Sequence, residues 1–582
     1  MIEAWRKKYF GSSTSLILAS IAIGLVTALS AVILKTGVRV IQEWVQYISL
    51  TKHFHYLLFI FPTVGILLTT VYVQVFRKGN LGRGVANILY CISRKSSFVP
   101  KDKLYSQMIS SILTVGFGGS AGLEAPIAAT GSAIGSNTAR WLKFSYKERM
   151  LLLACGAAAG ISAIFNAPIA GAIFAFEILL VDMAMPAIVP ILIASASSSL
   201  LSQLIYSGQP YILITDTWRS NHLLYYVAFA FIAAFSSVYA IRVYFYMDEV
   251  FAGKKRPYLK AIAGGLLLGL LIFIFPPLYG EGYDMVQHML HGYADALLAS
   301  SFIIKTENVW YIIDFTVALM LLKVIATSVT IGAGGNGGMF GSSLFMGAMC
   351  GYAFAHSVNL LGIGHLNEVH FTVIGMAALL SGVIHAPLTA IFLIAEITGG
   401  YALFVPLMIV CSVSFLVCRY FEPYSVYTRK LALAGELRTT DKDKLVLSNM
   451  KVEDYIEKDF IPVKANYTLR TLVIAIAHSK RNIFPVTDEA GLLCGIIMLD
   501  NVREFMFADE LYDKTLLKEL MIDPVATIDV HETMQSVMKK FEDSGVWNLP
   551  VTDHDKYLGF ISKSKIFTHY RQELIREVDV PG

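Results

Sequence analysis

Two stretches of this chain, 219 residues apart, are variations on one interrupted apolar segment. Gly156 to Glu177 reads GAAAGISAIFNAPIAGAIFAFE, and Gly375 to Glu396 reads GMAALLSGVIHAPLTAIFLIAE. The offset carries Gly156 to Gly375, Ser162 to Ser381, Pro168 to Pro387 and Glu177 to Glu396. Each copy is broken by Ala-Pro and closed by a glutamate. Upstream of each lies a glycine-rich break, GGSAGLEAP at Gly118 to Pro126 and GGNGGMFGS at Gly334 to Ser342. Paired, interrupted hydrophobic segments in two halves of a chain point to a binding site near the middle of a membrane.

Hydropathy supports a membrane setting. Mean hydropathy is +0.59, with 55% hydrophobic and only 15% charged residues, too apolar for a soluble chain of this length. Of the 90 charged residues, 44 fall in positions 431–582. The first 430 residues therefore read as a membrane domain and the rest as a soluble tail. A spanning helix needs about 20 apolar residues. Leu16 to Leu34, Tyr56 to Val75, Leu223 to Ala240, Ala261 to Phe275 and Leu403 to Val417 are candidates. Other runs are shorter or broken, which predicts tilted and re-entrant helices.

Basic residues cluster at Arg6 to Lys8, Arg77 to Lys103, Arg140 to Arg149 and Lys254 to Arg256. The positive-inside rule assigns these to the cytoplasm, and the acidic Glu281 to Glu307 segment to the outside. The N-terminal apolar run is too long for a signal-peptide core and reads as a retained span. A net charge of +4 gives no reason to expect a nucleic-acid partner. The six cysteines lack metal or disulfide spacing and read as small buried hydrophobes. No zinc-ligand spacing, serine-nucleophile elbow or kinase signature is present, so neither an enzyme nor a metal site is expected.

The glycine breaks carry the chemistry. Consecutive glycines let backbone amides turn inward at close range. A helix starting near Glu124 to Pro126 would aim unpaired N–H groups and its positive dipole end at an anion. Glu124 is a carboxylate in that position. An acid inside a membrane segment is costly and marks function by default. Being anionic, Glu124 can occupy the anion site itself until protonated or displaced.

These features together resemble the CLC family of chloride channels and chloride/proton antiporters, over nearly the whole chain. The family motif G-[RK]-E-G-P aligns with Gly122-Leu123-Glu124-Ala125-Pro126, G-x-F-x-P with Gly338-Met339-Phe340-Gly341-Ser342, and G-S-G-I-P, loosely, with Gly82-Arg83-Gly84-Val85-Ala86. The resemblance implies a mainly α, polytopic fold with inverted repeats over about 12–205 and 220–425, within a transport domain at 1–430. It implies Glu124 as gate, and an anion held by Gly82, Arg83, Gly84, Gly122, Leu123, Glu124, Met339, Phe340 and the hydroxyl of Tyr427, for which Tyr424 is a rival. It also implies a homodimer in a bilayer, one pathway per subunit, carrying chloride and no resident cofactor. Short loops suggest a bacterial inner membrane.

Several positions depart from the family pattern. Arg83 replaces the filter serine and Ala86 the proline, which leaves fluoride or nitrate open as alternative anions. Arg83 is read as snorkelling toward the cytoplasm in preference to charging the pathway. Antiporters of the family carry an inner proton-transfer glutamate one residue after the position of Glu177; here that residue is Ile178. A channel-like or weakly proton-coupled pathway is therefore favoured, with the antiporter as the alternative. Glu177 and Glu396 are read as structural acids at helix ends, and His385 as a packing residue near the Ala-Pro break.

The tail is duplicated too. FPVTDEAGLLCGII and LPVTDHDKYLGFI share Pro-Val-Thr-Asp, a turn, then Gly and an apolar strand. After a linker at 431–446, two small α/β units at 447–510 and 518–575 resemble a cytoplasmic pair of CBS domains. Such pairs often hold an adenine nucleotide between a hydroxyl and an aspartate. Here the corresponding runs are Gly495 to Asn501 and Gly559 to Lys565, and neither keeps both groups. A structural or dimer-forming tail is preferred, and a nucleotide is the alternative.

Overall fold

The computed structural model describes residues 12–51, 57–79, 81–82, 84–94, 96–179, 187–206, 217–253, 256–291, 310–434, 447 and 450–579. Arg83 lies outside the described residues. The chain divides into two compact units, Met1–Leu437 and Arg438–Gly582.

The first unit is helical: α1 (Ser12–Gln46), α2 (Leu57–Arg77), α3 (Gly84–Arg94), α4 (Lys103–Gly116), α5 (Glu124–Trp141), α6 (Tyr146–Phe165), α7 (Pro168–Phe174), α8 (Ile188–Ile205), α9 (Leu223–Ala252), α10 (Pro257–Ile274), α11 (Tyr283–Leu290), α12 (Trp310–Gly332), α13 (Met339–Leu360), α14 (Glu368–Ile384), α15 (Pro387–Ile397), α16 (Phe404–Phe421) and α17 (Arg429–Leu433). Among the described residues eight helices are long and apolar enough to cross a membrane. The five apolar stretches read from the sequence each fall on one of them, with Tyr56 itself outside the described residues. α5 and α13, by contrast, start in the interior and are buried along most of their length.

The repeat is a repeat of structure. α6 and α14 pack against α5 and α13 through glycine. A Cβ on Gly156 would lie 1.9 Å from the Gly131 carbonyl oxygen, and one on Gly375 would lie 2.2 Å from that of Gly347. Small residues at such crossings let backbones touch where lipid supplies no hydrophobic drive. Ser162 Oγ donates to the Ser195 carbonyl at 2.6 Å, and its counterpart Ser381 to the Cys411 carbonyl at 2.8 Å. α6 ends on Asn166 and α14 on His385, both left-handed, with φ of 55° and 58°. Each is followed by Ala-Pro, which forces a new helix axis. His385 thus serves as a helix terminator, its ring edge-on to Phe415 at 5.7 Å.

The two halves then close on each other. Glu177 sits in a π-turn (Ala175–Leu179) that continues α7. Its carboxylate accepts from the N–H groups of Leu388 (3.0 Å) and Thr389 (2.8 Å) and from the Thr389 hydroxyl (2.7 Å), at the start of α15. Glu396, at the end of α15, accepts from Ile169 (3.0 Å) and Ala170 (2.8 Å) at the start of α7. Each repeat caps the other's Ala-Pro helix with the same residue. The amides at a helix start have no partner of their own, and a carboxylate there also meets the positive dipole end.

The second unit holds two three-stranded sheets. The first has the order β1 (Val463–Lys464), β2 (Ile483–Thr487), β3 (Leu493–Met498), and the second β4 (Ile528–Asp529), β5 (Asn548–Asp553), β6 (Lys556–Ser562). In each, the first pair is parallel and the second antiparallel, and the register slips inside Pro-Val-Thr-Asp, at Val486/Thr487 and Val551/Thr552. Helices Leu469–His478 and Met534–Ser544 cover the sheets. β1 and β4, two residues each, are absent from the sequence reading because nothing so short shows periodicity. Met450, Val452 and Tyr455 pack into the core of the second sheet, so the residues that open the first α/β repeat of the tail belong physically to its second sheet.

Glu396→Ala leaves the Ile169 and Ala170 amides without their acceptor, which should cost about 1–3 kcal/mol. Thermal unfolding of the detergent-solubilised protein is expected at a lower midpoint, with Glu396→Gln, whose amide oxygen still accepts, recovering most of the loss.

Candidate functional site

Three glycine-containing breaks converge where α3, α5 and α13 begin. Gly122 and Gly338 form an antiparallel bridge, donating to each other's carbonyls at 3.0 and 2.9 Å. This two-residue β-contact satisfies backbone at a depth where water cannot. It also fixes the first turns of α5 and α13 side by side. Gly82 and Gly84 have positive φ (63° and 40°). A Cβ on Gly84 would lie 2.9 Å from the Cβ of Ala125, and one on Gly338 2.6 Å from the same atom. Ala125, where the family motif has glycine, is the small side chain on which both other breaks rest.

Glu124 is the first residue of α5 and is 1% exposed. One oxygen accepts from the Gly341 N–H at 3.2 Å, in the first turn of α13, and the other from the Tyr283 hydroxyl at 2.7 Å. The carboxylate therefore sits on the helix start contributed by the opposite repeat, not in open water. Beside it, the Leu123 N–H donates to Glu281 Oε1 at 3.2 Å. A cavity of about 340 Å³ reaches these groups, lined by Lys35, Arg39, Glu43, Leu123, Glu124, Tyr206, Glu281, Tyr283 and Asp284 among others. Lys35 donates to the Ile164 carbonyl. Lys323, fully buried, donates to the Gly280 carbonyl at 2.9 Å and lies over the Phe345 ring at 4.8 Å.

Deeper groups hold the breaks in place. The Asn336 amide donates to Gln107 Oε1 (2.9 Å), Ser110 Oγ (2.8 Å) and Ser111 Oγ (3.0 Å). Gln107 in turn donates to the carbonyls of Leu81 (3.1 Å) and Gly82 (2.9 Å). Met339 and Phe340 are buried, with Phe340 packed on Phe165 and Phe174. Tyr427 is 7% exposed, and its hydroxyl has no hydrogen-bond partner among the described residues. Tyr424 is 41% exposed. A buried donor without a protein acceptor is rare, and that distinguishes the two tyrosines. Ile178, in the π-turn, is partly buried against the main core and offers no titratable group.

A family model described as voltage-gated chloride channel matches residues 64–419. The chain belongs to the CLC family. CBS domain models match residues 452–508 and 517–571. A ClcB-like chloride channel protein of Ralstonia nicotianae is 30% identical over 383 residues, covering 64% of this chain and 84% of the relative. Chloride channel protein CLC-f of Arabidopsis thaliana is 24% identical, covering 97% of this chain and 81% of the relative. Among solved structures, a slow cyanobacterial chloride/proton antiporter superposes with a TM-score of 0.61 at 22% identity, covering 72% of this chain and 97% of that one. A eukaryotic CLC transporter gives 0.60 at 18% identity, covering 94% of this chain and 97% of the other. The CLC fold, membrane character and chloride transport as the family's activity are thus established for this chain.

The sequence reading put anion contacts on residues 122–124 and 339–340. The amide that actually holds the Glu124 carboxylate is one residue later, Gly341. Tyr283, Glu281, Lys35 and Lys323 were not anticipated as site residues. They come from three other helices and a loop, and carry no local motif beyond the acidic GEGYD run.

In the tail, a cavity of about 750 Å³ is lined by Glu457, Asp459, Arg481, Ser562, Lys565 and His569, among others. Arg481 is ion-paired with Glu457 and Asp459, and the Ser562 hydroxyl also donates to Glu457.

Tyr427→Phe removes a hydroxyl with no protein acceptor, so the unfolding midpoint should not fall. Chloride affinity measured by calorimetry should weaken about tenfold, the equivalent of one hydrogen bond to a charged partner worth ~1.5 kcal/mol.

Proposed function

We propose that this protein is a homodimeric chloride transport protein with a channel-like or weakly proton-coupled pathway in each subunit, gated by Glu124. The observation that carries this reading is the Glu124 carboxylate resting on the Gly341 amide at the start of α13, at the end of a cavity. A carboxylate there does what an anion would do. Ionised, it fills the outer site; protonated, it loses its charge-assisted bond and yields the amide to chloride. Tyr427 would donate to the anion from the inner side, with Gly82, Gly84, Gly122, Leu123, Met339 and Phe340 supplying backbone contacts.

Ile178 favours weak coupling, since an aliphatic side chain cannot relay a proton. The antiporter alternative draws on solved neighbours titled as a chloride/proton and a fluoride/proton antiporter. The tail is proposed to lie in the cytoplasm of a bacterial inner membrane and to act structurally. Glu457 and Asp459 already occupy Arg481, which works against a bound polyphosphate.

The test is chloride efflux from proteoliposomes with external pH recorded. Efflux that requires valinomycin and moves no protons supports the channel-like reading, and proton uptake against its gradient supports the antiporter. In Glu124→Gln, activation of efflux by external acid should be weaker than in the native protein. An unchanged pH dependence would remove Glu124 from the gate.

A further inference from the structure

Of the four carboxylates lining the outer cavity, Glu124 and Glu281 hold backbone amides, and the gate just proposed uses only Glu124. Glu281 lies on the loop before α11 and takes the Leu123 amide at 3.2 Å, as Glu124 takes the Gly341 amide at 3.2 Å. Leu123 directly precedes α5, and Gly341 lies in the first turn of α13. Two amides at this junction, those of Leu123 and Gly341, are therefore occupied by acids. Each acid must be neutralised or moved before its amide can serve an anion.

The charges around Glu281 are specific. Lys35 on α1 and Glu124 on α5 line the same cavity as Glu281. Lys323 holds the Gly280 carbonyl at 2.9 Å, next to Glu281 in the chain, from a fully buried position. Tyr283 on α11 donates to Glu124, Asp284 is exposed, and Arg39 and Glu43 pair with each other at 2.7 Å on the rim. The family motif carries a base where this chain has Leu123, so the local positive charge comes from Lys35 and Lys323. Lys35 lines the cavity with the two glutamates and Lys323 is anchored next to Glu281 on the Gly280 carbonyl, so with both lysines charged the group is neutral when both acids are ionised. Protonating one leaves a net charge of +1, suited to one anion, and protonating both leaves room for a second.

We propose that Glu281 is a second carboxylate of the outer gate, so that full opening to chloride requires two protonations rather than one. This rests on the Glu124 reading, but its signature is separate. When two acids must both be protonated, the logarithm of the flux falls on the alkaline side with a limiting slope of about two per pH unit; one acid gives about one. The slope is read from radiolabelled chloride efflux by the full-length protein in liposomes, with valinomycin present and external pH stepped.

The native protein should approach a slope of two, and Glu281→Gln, which keeps an oxygen for the Leu123 amide, a slope of one. A native slope of one, or an unchanged slope in Glu281→Gln, overturns the proposal. Asp284→Asn controls for simple loss of negative charge at the mouth; the same flattening there would also overturn it. If Glu281→Gln flattens the curve while Glu124→Gln does not, Glu281 stands and the Glu124 gate fails. If Glu281→Gln does not yield folded protein, chloride affinity of the native protein is measured by calorimetry across the same pH range. Uptake of two protons with chloride then supports the second carboxylate, and uptake of one removes it.

Discussion

A helix that starts inside a membrane protein exposes amides that neither lipid nor bulk water can satisfy, and this chain answers that problem by having each half supply the other. Gly122 and Gly338 pair backbone to backbone, Glu177 caps α15, and Glu396 caps α7. The pairs are reciprocal because they are the same positions in two copies of one segment. Gly131 against Gly156 and Gly347 against Gly375 bring the backbones close enough for this. Without those contacts α5 and α13 could not begin where they do, and no amide would be available to the Glu124 carboxylate.

The same rule separates structural acids from functional ones. Glu177 and Glu396 each accept from two successive amides of one short helix, a complete cap with nothing left to exchange. Glu124 accepts from one amide and one tyrosine hydroxyl, and Glu281 from one amide, in a cavity that Lys35 also lines. Acids that border open space and hold a single amide can give up their hydrogen bonds; acids locked into a cap cannot. The contrast lies in geometry and not in residue type, since all four are glutamates in apolar surroundings.

Much of this was legible in the sequence. The 219-residue offset, the Ala-Pro breaks and the glycine runs are local and periodic, so they foretold helix starts, the buried Glu124 and the duplicated α/β tail. The Pro-Val-Thr-Asp motif located β2 and β5 to within a residue. What could not be read was anything that depends on which loops meet. Glu281, Lys323 and Lys35 lie more than 80 residues from Glu124 along the chain, and only the fold brings Glu281 and Lys35 to its cavity and Lys323 to the adjoining Gly280 carbonyl. That the Gly341 amide holds Glu124 was not legible either, because which amide of the first turn meets the carboxylate is set by the angle of α13, a tertiary quantity. Tyr427, with Tyr424 as its rival, was read from a motif alone, and the difference in their burial could not be read from it.

The reciprocal caps also bear on how the chain is made. Synthesis runs from the N-terminus, so α7 emerges complete long before Glu396 exists to cap it. Through that interval Ile169 and Ala170 have no acceptor from their final partner, and Glu177 waits for Leu388 and Thr389. The first half is therefore a poor stopping point for insertion, and its pore-facing helices can settle only after the second half has been delivered to the bilayer. A ribosome stalled between the two halves would leave in the membrane a fragment with unsatisfied polar ends, which marks it for quality control.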